Sequence, residues 1–408
     1  MEIEIKMQQN KYIVVHAGKR DDYQVALALH EANMLYCLVT EAYFPLDKKW
    51  FVFLTDFLGI RSKFYRRYKE GLPSSKVCIP WKAHFYEMLF LWTKNVSFDS
   101  KKGYALGKYA RKLSQKYNIP IIAVNTCAAD AFQGNLIQPK ILFQFHPQAD
   151  FVKELFLEEI KFNPKAEKTL RQEYEFSLST EQLQLLSSEV KLATDFLCAS
   201  SLTKKSLMFK GVSEDKIKVI PYGVDTAKFT FSERKHSEIF KVIFIGSLNQ
   251  RKGITYLLDA LAQLQNIELT IVTRGIYDET LIQNYNFPIH VVVDVPHEKL
   301  QDELHKAHCF VLPSILEGFG QVILEAMATG IPVIATENTA AIDIIESGKE
   351  GFVTPIRNVQ AIKENIEKLQ NDFSLVQVMG KAAHEKAKIY SWQKFRTDLV
   401  THIQSLSK

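Results

Sequence analysis

The stretch that decides the fold runs Cys309-Phe-Val-Leu-Pro-Ser-Ile-Leu-Glu317-Gly-Phe-Gly320-Gln-Val-Ile-Leu-Glu325-Ala-Met-Ala-Thr-Gly330-Ile-Pro332. Its first four residues are apolar and predict a short buried strand, whereas Gly318 and Gly320 predict a turn. Residues 321–329 predict a helix that Gly330 ends. Strand, turn and helix in this order form the unit of a parallel α/β sheet.

Two glutamates in this stretch indicate a binding site. Glu317 stands in the turn, and Glu325 projects from the helix back toward the turn, because helical side chains lean toward the N-terminus. The amides of Gly318, Phe319 and Gly320 lack helical partners there. Carboxylates suit sugar hydroxyls, and free amides suit phosphate or carboxylate oxygens, so we expect a polyhydroxylated anion such as a nucleotide sugar. The alternative is a chance pair of glutamates on a solvated helix face.

Three further segments join this stretch in chain order: Cys198-Ala-Ser200 with Val219-Ile-Pro-Tyr-Gly-Val-Asp225, then Phe244-Ile-Gly-Ser-Leu-Asn-Gln-Arg-Lys-Gly253, then Val333-Ile-Ala335 with Gly348-Lys-Glu-Gly-Phe-Val-Thr-Pro355. Together they resemble the donor-binding part of glycosyltransferase family 4. The resemblance implies an α/β chain of the GT-B fold, with two doubly wound Rossmann-like domains facing each other across a cleft and a C-terminal helix returning to the first. It also implies retaining transfer of a sugar from a nucleoside-diphosphate sugar to a hydroxyl acceptor, in polysaccharide, glycolipid or other glycoconjugate biosynthesis.

Length and composition fit a globular protein of two domains. The chain has 408 residues, of which 47% are hydrophobic and 24% charged, and domains commonly hold about 100–200 residues. Five widely separated cysteines without a Cys-x-x-Cys pair argue against a disulfide framework or structural zinc. The net charge of +5 is mild for this length, and we expect no nucleic-acid partner.

The start of the chain carries charges where a signal peptide needs an apolar run, and no stretch of about 18 apolar residues follows. We therefore expect a cytoplasmic protein without a membrane span.

Two series of strands predict the domain organisation. Tyr12-Ile-Val-Val15 is followed by a loop and a helix over 23–32, and strands are predicted at 35–39, 119–124 and 141–145, with helical sequence through 154–192. Turn formers at 221–225 precede a second series at 242–245, 269–272, 290–293, 310–312 and 333–335. By the resemblance, residues 1–222 with the tail 391–408 form an acceptor-binding domain, and 223–390 a donor-binding domain.

The loop Gly246–Gly253 is a candidate phosphate cradle. Lys252 stands just before a helix, where its ammonium and the helix amides can share a diphosphate. The resembling family commonly has an arginine after the first glycine. Here Ser247 takes that place, and Arg251 either supplies the charge or is a solvated surface residue. Arg274, after the next strand, lies near the base and diphosphate by the resemblance.

The first domain offers two candidate contacts. His146 ends the strand 141–145, where the resembling family places a histidine near the donor sugar, although its usual acidic neighbour is missing. An imidazole there can hydrogen-bond sugar hydroxyls or the leaving phosphate; the alternative is a core or loop histidine. Gly18 lets the backbone approach a ligand, and Lys19, Arg20 and Asp21 beside it can contact donor phosphate or acceptor.

No Asp-x-Asp motif or metal-ligand spacing occurs, so we expect a reaction without metal or cofactor. Lys252, Arg251 and helix ends would stabilise the departing diphosphate. Glu317 would hold the sugar rather than act as nucleophile, and His146 completes the expected catalytic set. Donor contacts are expected from Gly18, Ser247, Arg251, Lys252, Arg274, Gly318, Phe319, Gly320 and Glu325.

Residues 48–69 are basic and aromatic. Between 41 and 120 there are 16 Lys/Arg against 6 Asp/Glu, a surplus of 10. This segment fits an interfacial helix on anionic lipid at the inner face of the membrane, beside a lipid-linked acceptor. The alternative is a helix with one face in the core and a solvated basic face, in which case the acceptor can be a free carbohydrate. Residues 81–92 fit the same two alternatives, an interfacial helix or a helix with one face in the core.

Two rival functions remain. A dinucleotide-dependent oxidoreductase needs Gly-x-Gly-x-x-Gly after the first strand, and His16-Ala-Gly-Lys-Arg-Asp21 lacks it. A non-catalytic nucleotide-sugar-binding subunit on the same fold would keep the donor contacts without turnover.

Overall fold

The computed structural model of the chain describes residues 10–19, 21–275 and 277–406. Arg20, expected above as a ligand contact, and the opening residues Met1-Glu-Ile-Glu-Ile-Lys6 lie outside this part. The described chain forms two separate sheets in which every strand pair is parallel. Helices alternate with the strands in both.

The first sheet has seven strands in the order β3-β2-β1-β4-β5-β6-β7. Their bounds are β1 Tyr12–Val15, β2 Leu35–Val39, β3 Val77–Cys78, β4 Ile121–Val124, β5 Lys140–Gln144, β6 Asp195–Cys198 and β7 Ile217–Val219. The helices of this half are α1 Gln24–Glu31, α2 Lys49–Phe57, α3 Arg61–Phe64, α4 Trp81–Thr93, α5 Val96–Tyr117, α6 Ala128–Phe132, α7 Ala149–Phe162, α8 Glu167–Leu170, α9 Tyr174–Ser177, α10 Thr180–Leu192 and α11 Ser201–Phe209.

The second sheet has six strands in the order β10-β9-β8-β11-β12-β13. Their bounds are β8 Phe240–Ile245, β9 Ile267–Thr273, β10 Ile289–Val293, β11 Cys309–Leu312, β12 Val333–Thr336 and β13 Gly351–Thr354. The helices of this half are α12 Ile254–Leu261, α13 Leu300–Lys306, α14 Gln321–Ala328, α15 Ala341–Ile344, α16 Val359–Asn371, α17 Phe373–Ile389 and α18 Trp392–Ser405.

All inner strands except β6 are apolar runs that the sequence predicts, because parallel sheets covered on both faces need apolar side chains on both. All four residues of β1 and of β11 are buried. Strands β3, β6, β7 and β13 were not predicted from the sequence. These strands have two to four residues each, and three of them are sheet edges.

The helical sequence expected through 154–192 is not one helix. It is divided into α7, α8, α9 and α10, and α7 ends at Phe162 directly before Asn163 and Pro164. Proline has no amide hydrogen and clashes with the preceding turn, so the helix cannot continue. The broken segment between α8 and α9 carries Glu173, which reaches the cleft between the domains.

The chain passes between the two domains twice, and the two passages touch. Val224 donates its amide to the carbonyl of Tyr390 at 2.8 Å. A Cβ on Gly223 would lie 2.2 Å from the amide nitrogen of Trp392, so only glycine allows this approach. Helix α18 then packs on α1, where Arg396 contacts Glu31 at 2.8 Å. The C-terminal helix thus returns to the first domain, whereas the limits 222 and 390 stay predictions.

Buried polar contacts hold the domains facing each other. The hydroxyls of Ser200 and Thr203 in the first domain donate to the carbonyl of Gly318 at 2.5 and 3.2 Å. On another side, the fully buried carboxylate of Glu159 accepts hydrogen bonds from Gln250, Tyr256 and Arg357 of the second domain. These contacts close the cleft around the carboxyl ends of the strands.

Candidate active site

A buried charge cluster lies between two neighbouring strands of the second sheet. Oε1 of Glu317 lies 2.5 Å from Nζ of Lys252 and 3.3 Å from Nη1 of Arg251, and it accepts a 3.1 Å hydrogen bond from Ser314. Burial alone would raise the pKa of Glu317, but Lys252 and Arg251 outweigh burial and hold this pKa below its usual value. The carboxylate is therefore charged, and its Oε1 contacts Lys252, Arg251 and Ser314.

The topology explains why these residues meet. Strand β8 leads to the loop with Lys252, β11 leads to Glu317, and the two strands are neighbours in parallel register. The carboxyl ends of parallel strands meet at one edge of the sheet, and the order of the strands changes direction there.

Two glycines of the β8 loop bring the lysine onto the glutamate. Gly253 has φ +67°, and a Cβ on it would lie 1.9 Å from the carbonyl oxygen of Pro313. The stem of Lys252 passes Gly246 so closely that a Cβ there would lie 3.3 Å from its Cε. The side chain of Asn249 accepts a hydrogen bond from the amide of Lys252 at 3.2 Å and closes the turn. The loop therefore fixes the position of the ammonium group.

A cavity of about 480 Å³ lies above the start of α14. Gly318, Phe319, Gly320 and Glu325 line it, and no described residue accepts a hydrogen bond from the amides of the first three. We call this space the amide cavity. Its free amides and the helix N-terminus form an anion-binding geometry.

Glu325 has a partner in the loop after β10. Nε2 of His297 lies 2.8 Å from Oε1 of Glu325, and both side chains line the amide cavity. The hydrogen bond to Glu325 raises the pKa of His297, against the opposite effect of burial.

A second cavity, of about 510 Å³, opens on the first domain and contains Gly18, His146 and Arg251 in its wall. We call it the first-domain cavity. His146 borders both cavities, because β5 ends at their junction.

The acidic partner that the sequence around His146 lacks comes from α9. Nε2 of His146 lies 3.2 Å from Oε1 of Glu175. Burial alone would raise the pKa of Glu175, but the hydrogen bond and Coulomb interaction with His146, together with smaller contributions from the backbone and Arg251, outweigh burial and hold this pKa below its usual value. A carboxylate in this place fixes the orientation of the imidazole.

Arg251 links the two domains. Its Nε lies 3.1 Å from Oε2 of Glu173, while its Nη1 faces Glu317. Asn249 donates to the other oxygen of Glu173 at 2.8 Å. Arg251 is thus not the solvated residue of the alternative reading. Glu173 and Glu175 were missed because they stand inside a stretch predicted as helix; Pro164 was the available signal that this helix breaks.

Other expected contacts lie elsewhere. Ser247 and Arg274 are exposed and line neither cavity. Lys252 and Glu317 lie behind the cavity walls, paired with each other. Trp392 lines the amide cavity and packs against Tyr222 at 5.8 Å between ring centroids.

The residues of the loop after β1 have different environments: Lys19 lines the amide cavity, whereas Asp21 is buried in the core. Lys19 lines the amide cavity and pairs with Asp22 at 2.7 Å. Asp21, expected as a ligand contact, is instead buried, where it accepts hydrogen bonds from the amides of Tyr23 and Val25 and lies 2.8 Å from Nε2 of His16. It caps the start of α1, which is a structural role.

Within the described residues, no three His, Cys, Asp or Glu side chains converge as a metal site. In the same part of the chain, no helix combines the length and the apolar content needed to cross a bilayer.

Solved structures share this architecture. Sucrose-phosphate synthase from Thermosynechococcus elongatus matches 97% of this chain with 99% of its own, at a TM-score of 0.66 and 17% identity. Anabaena HepE, solved in complex with UDP-glucose, matches 97% of this chain with 100% of its own, at a TM-score of 0.62 and 17% identity. At these identities the likeness concerns the fold, which is GT-B: two Rossmann-like domains facing each other across a cleft.

Sequence comparison concerns mainly the second domain. Residues 225–386 match the family model for glycosyl transferases group 1. The capsular polysaccharide biosynthesis glycosyltransferase CapM of Staphylococcus aureus is 31% identical over 216 residues, 46% of this chain and 55% of CapM. The putative colanic acid biosynthesis glycosyltransferase WcaL of Salmonella typhimurium is 28% identical over 228 residues, 51% of this chain and 55% of WcaL. The chain thus matches about half the length of these curated relatives.

Proposed function

We propose that this protein is a retaining glycosyltransferase of family 4 that moves a sugar from a nucleoside-diphosphate sugar to a hydroxyl acceptor in polysaccharide, glycolipid or other glycoconjugate biosynthesis. One observation carries the proposal: the buried cluster of Glu317, Lys252 and Arg251 stands directly beside the free amides of residues 318–320 at the cleft. The match of residues 225–386 to group 1 glycosyl transferases supports it.

The donor would lie across the amide cavity. Its diphosphate would accept hydrogen bonds from the amides of Gly318, Phe319 and Gly320 and face the positive end of α14. Glu325, held by His297, would accept from ribose hydroxyls at the far side of the cavity. His146, at the junction of the two cavities, would contact the donor sugar. The UDP-glucose bound to HepE, which has the same fold, supports a nucleotide sugar as donor.

In the proposed reaction the acceptor hydroxyl attacks the anomeric carbon on the face that the diphosphate leaves. The bond from the anomeric carbon to the phosphate oxygen breaks, a new carbon–oxygen bond forms on the same face, and the phosphate oxygen takes the acceptor proton. Lys252 and Arg251 stabilise the charge that develops on the diphosphate, an effect of about 3 kcal/mol per well-placed donor. We propose that no metal or other cofactor takes part.

A non-catalytic nucleotide-sugar-binding subunit is the second candidate. One observation favours it: Lys252 and Glu317 satisfy each other and line neither cavity. In an enzyme the incoming diphosphate must draw Lys252 and Arg251 from their carboxylate partners. Turnover of any nucleotide sugar decides between the two candidates.

We further propose that the protein is cytoplasmic and contacts the inner face of a membrane through residues 48–69. Trp50, Phe53 and Phe57 in this segment are 65%, 75% and 80% exposed, although soluble proteins rarely expose aromatic side chains in a group. The acceptor is then a carbohydrate or a lipid-linked hydroxyl compound, and no nucleic acid is involved.

The first experiment is a thermal-shift screen of UDP-, GDP- and ADP-sugars, followed by calorimetry with the matching diphosphate and with the donor. We expect Lys252→Met to weaken diphosphate binding by about tenfold or more, because one charge-assisted contact is lost. Glu317→Gln should bind diphosphate as well as the wild type or better, because Lys252 and Arg251 are released, yet lose turnover of the sugar donor.

Lys306→Met is the matched control, since Lys306 is an exposed lysine of the same domain that pairs only with Glu303 in the structure. It should change neither quantity. If Lys252→Met and Glu317→Gln had the same effect on diphosphate binding, the assigned division of roles would be wrong.

A further inference from the structure

Two helices of the first domain turn their aromatic sides to solvent. On α2, Trp50, Phe53 and Phe57 recur at the spacing of one helix face, and all three are exposed. On α4, the exposed apolar residues at the spacing of one face are Trp81, Phe85, Met88 and Trp92.

The fully buried residues of both helices are polar or small, whereas Phe51, Val52, Tyr86, Leu89 and Phe90 are half-buried. Thr55 is the buried residue of α2, and Ala83 and Glu87 are the buried residues of α4. An ordinary surface helix of a soluble protein has the opposite arrangement. Trp81 and Trp92 are 72% and 83% exposed, so these apolar side chains stay uncovered by the part of the chain that the structure describes.

A continuous set of contacts joins the two helices. Phe51 of α2 packs against Phe64 at 5.4 Å between ring centroids. Arg67, three residues after Phe64, donates to Glu87 of α4 at 2.9 Å. The two aromatic faces therefore belong to one region of the first domain, which we call the aromatic surface and define by Trp50, Phe53, Phe57, Trp81, Phe85, Met88 and Trp92.

Basic residues surround the aromatic surface. Lys48 and Lys49 begin α2, Arg66 follows α3, and Lys82 and Lys94 flank α4; all five are exposed. Tryptophan and phenylalanine with lysine and arginine beside them suit the headgroup region of an anionic bilayer, where rings enter the acyl boundary and cations meet lipid phosphates. The charge thus favours an anionic lipid surface over a second copy of this chain, which would bring like charges together.

The aromatic surface is tied to the first-domain cavity by buried ion pairs. Glu87, on the inner side of α4, accepts from Lys102 at 2.8 Å, and Lys102 lines the cavity. Arg67 also donates to Glu41 at 2.6 Å, and Glu41 accepts from the amide of Gly18 in the cavity wall at 3.0 Å. Docking of the helices would therefore hold the cavity wall close to the lipid.

We infer that α2 and α4 together dock on an anionic bilayer and that the acceptor is an amphiphile taken from it. The hydroxylated headgroup enters the first-domain cavity, whose volume of about 510 Å³ lies in the usual range for small-ligand sites, and the lipid chain stays in the membrane. The acceptor class rests on the proposed function, whereas the docking does not.

Vesicle flotation of the full chain tests the docking without donor or turnover. We expect at least tenfold stronger partition to vesicles of phosphatidylcholine with phosphatidylglycerol than to phosphatidylcholine alone, and weaker binding at high salt. The triple variants Trp50→Ser/Phe53→Ser/Phe57→Ser and Trp81→Ser/Phe85→Ser/Trp92→Ser should each lose at least tenfold, because each removes three apolar anchors.

The matched control is Leu136→Ser/Val378→Ser/Ile389→Ser, which removes three exposed apolar side chains from other places and should bind as the wild type does. Docking is refuted if the wild type ignores anionic vesicles or if both triple variants bind unchanged. It is also refuted if the wild type is an oligomer in vesicle-free buffer that the triple variants dissociate, since the surface would then join copies of the chain.

The acceptor class has its own readout. With the labelled donor from the screen and vesicles of total lipid from the source cells, we expect label in the lipid fraction, reduced at least tenfold in both triple variants. Hydrolysis of the donor by water in lipid-free buffer should stay unchanged in them. If the wild type hydrolyses the donor but labels no lipid, the lipid acceptor is overturned and the transferase proposal stands. If the wild type shows neither donor hydrolysis nor labelled lipid, the proposed function is overturned and the docking result is unaffected.

Discussion

The two domains differ in how the charged side chains beside their shared cleft are paired. In the second domain, the charged residues beside the cleft are already paired with one another: Glu317 with Lys252, and Glu325 with His297. The first domain instead supplies side chains that reach across, above all Glu173 to Arg251, and it carries the aromatic surface on its outside. The family match, over residues 225–386, follows the same division. The comparison indicates that the charged groups of the second domain are preformed, whereas the first domain adds contacts across the cleft.

Physical chemistry accounts for the difference. A buried ion pair holds its groups in place, and removing one member leaves the other charge uncompensated, typically at a cost of about 3–5 kcal/mol. Groups paired in this way are held in one arrangement until a ligand draws one member away from the other. The aromatic surface has no such internal requirement, because its residues are apolar and exposed.

The largest effect is expected where the two halves touch. A Cβ on Gly318 would lie 2.5 Å from the carbonyl oxygen of Phe145 and 3.4 Å from Cα of His146. Gly318→Ala should therefore push the domains apart and lower turnover by about 100-fold, since displacements of about 1 Å are this costly in an active site. Steady-state kinetics and small-angle scattering would measure the loss and the opening.

Ser200→Ala is the comparison variant, because it removes a hydrogen bond to the carbonyl of Gly318 without adding an atom. Its loss should be smaller and the scattering curve unchanged. Full turnover in Gly318→Ala would mean that the close contact of the halves is dispensable.

An intermediate effect on turnover is expected for Glu175, the first-domain residue that positions His146. Glu175→Gln removes the charged partner of the imidazole and should lower kcat by about tenfold with little change in KM for the donor, because orientation rather than binding is lost. The pH profile of kcat should move, and Glu175→Asp should restore part of the activity. Glu167→Gln, an exposed acid of the preceding helix, serves as control; equal losses in both would assign Glu175 a merely structural role.

The smallest effect concerns the preformed pair of Glu325 and His297. The hydrogen bond raises the pKa of His297, so the pair stabilises the folded state fully below the unfolded pKa of about 6.5 and loses this contribution as pH rises through the folded pKa. His297→Gln should therefore lower Tm by about 1–2 °C near pH 5.5 and by less toward pH 8.5, since the imidazole is half exposed.

Thermal unfolding across this pH range would measure the difference. His290→Gln provides the control, because His290 is an exposed histidine 3.8 Å from Glu268 in the same domain. If the curves of Tm against pH ran parallel for the wild type and His297→Gln, the stability of the second domain would not depend on this pair.

Local patterns were sufficient for much of the fold and part of the candidate site. The buried runs at β1 and β11 and the turn of Gly318 and Gly320 follow from apolar periodicity and glycine chemistry, which act over a few residues. The same holds for the free amides at the start of α14. The short edge strand β3 was not predictable in this way, because two residues carry too little pattern.

Contacts between residues far apart in the sequence could be identified only from the tertiary structure. The pairing of His146 with Glu175 and of Arg251 with Glu173 joins residues that no local spacing relates. In each case the sequence indicated the functional side chain, His146 or Arg251, but not the glutamate that pairs with it.

By itself, the sequence determined that this protein has α/β units and a turn with free amides beside Glu317, because backbone propensity and helix ends are local properties. The tertiary structure decided which charges pair, which acids cross the cleft and which aromatic faces stay outside. Burial and Coulomb interactions depend on distance in space, and the folded chain brings residues far apart in sequence to within hydrogen-bonding reach.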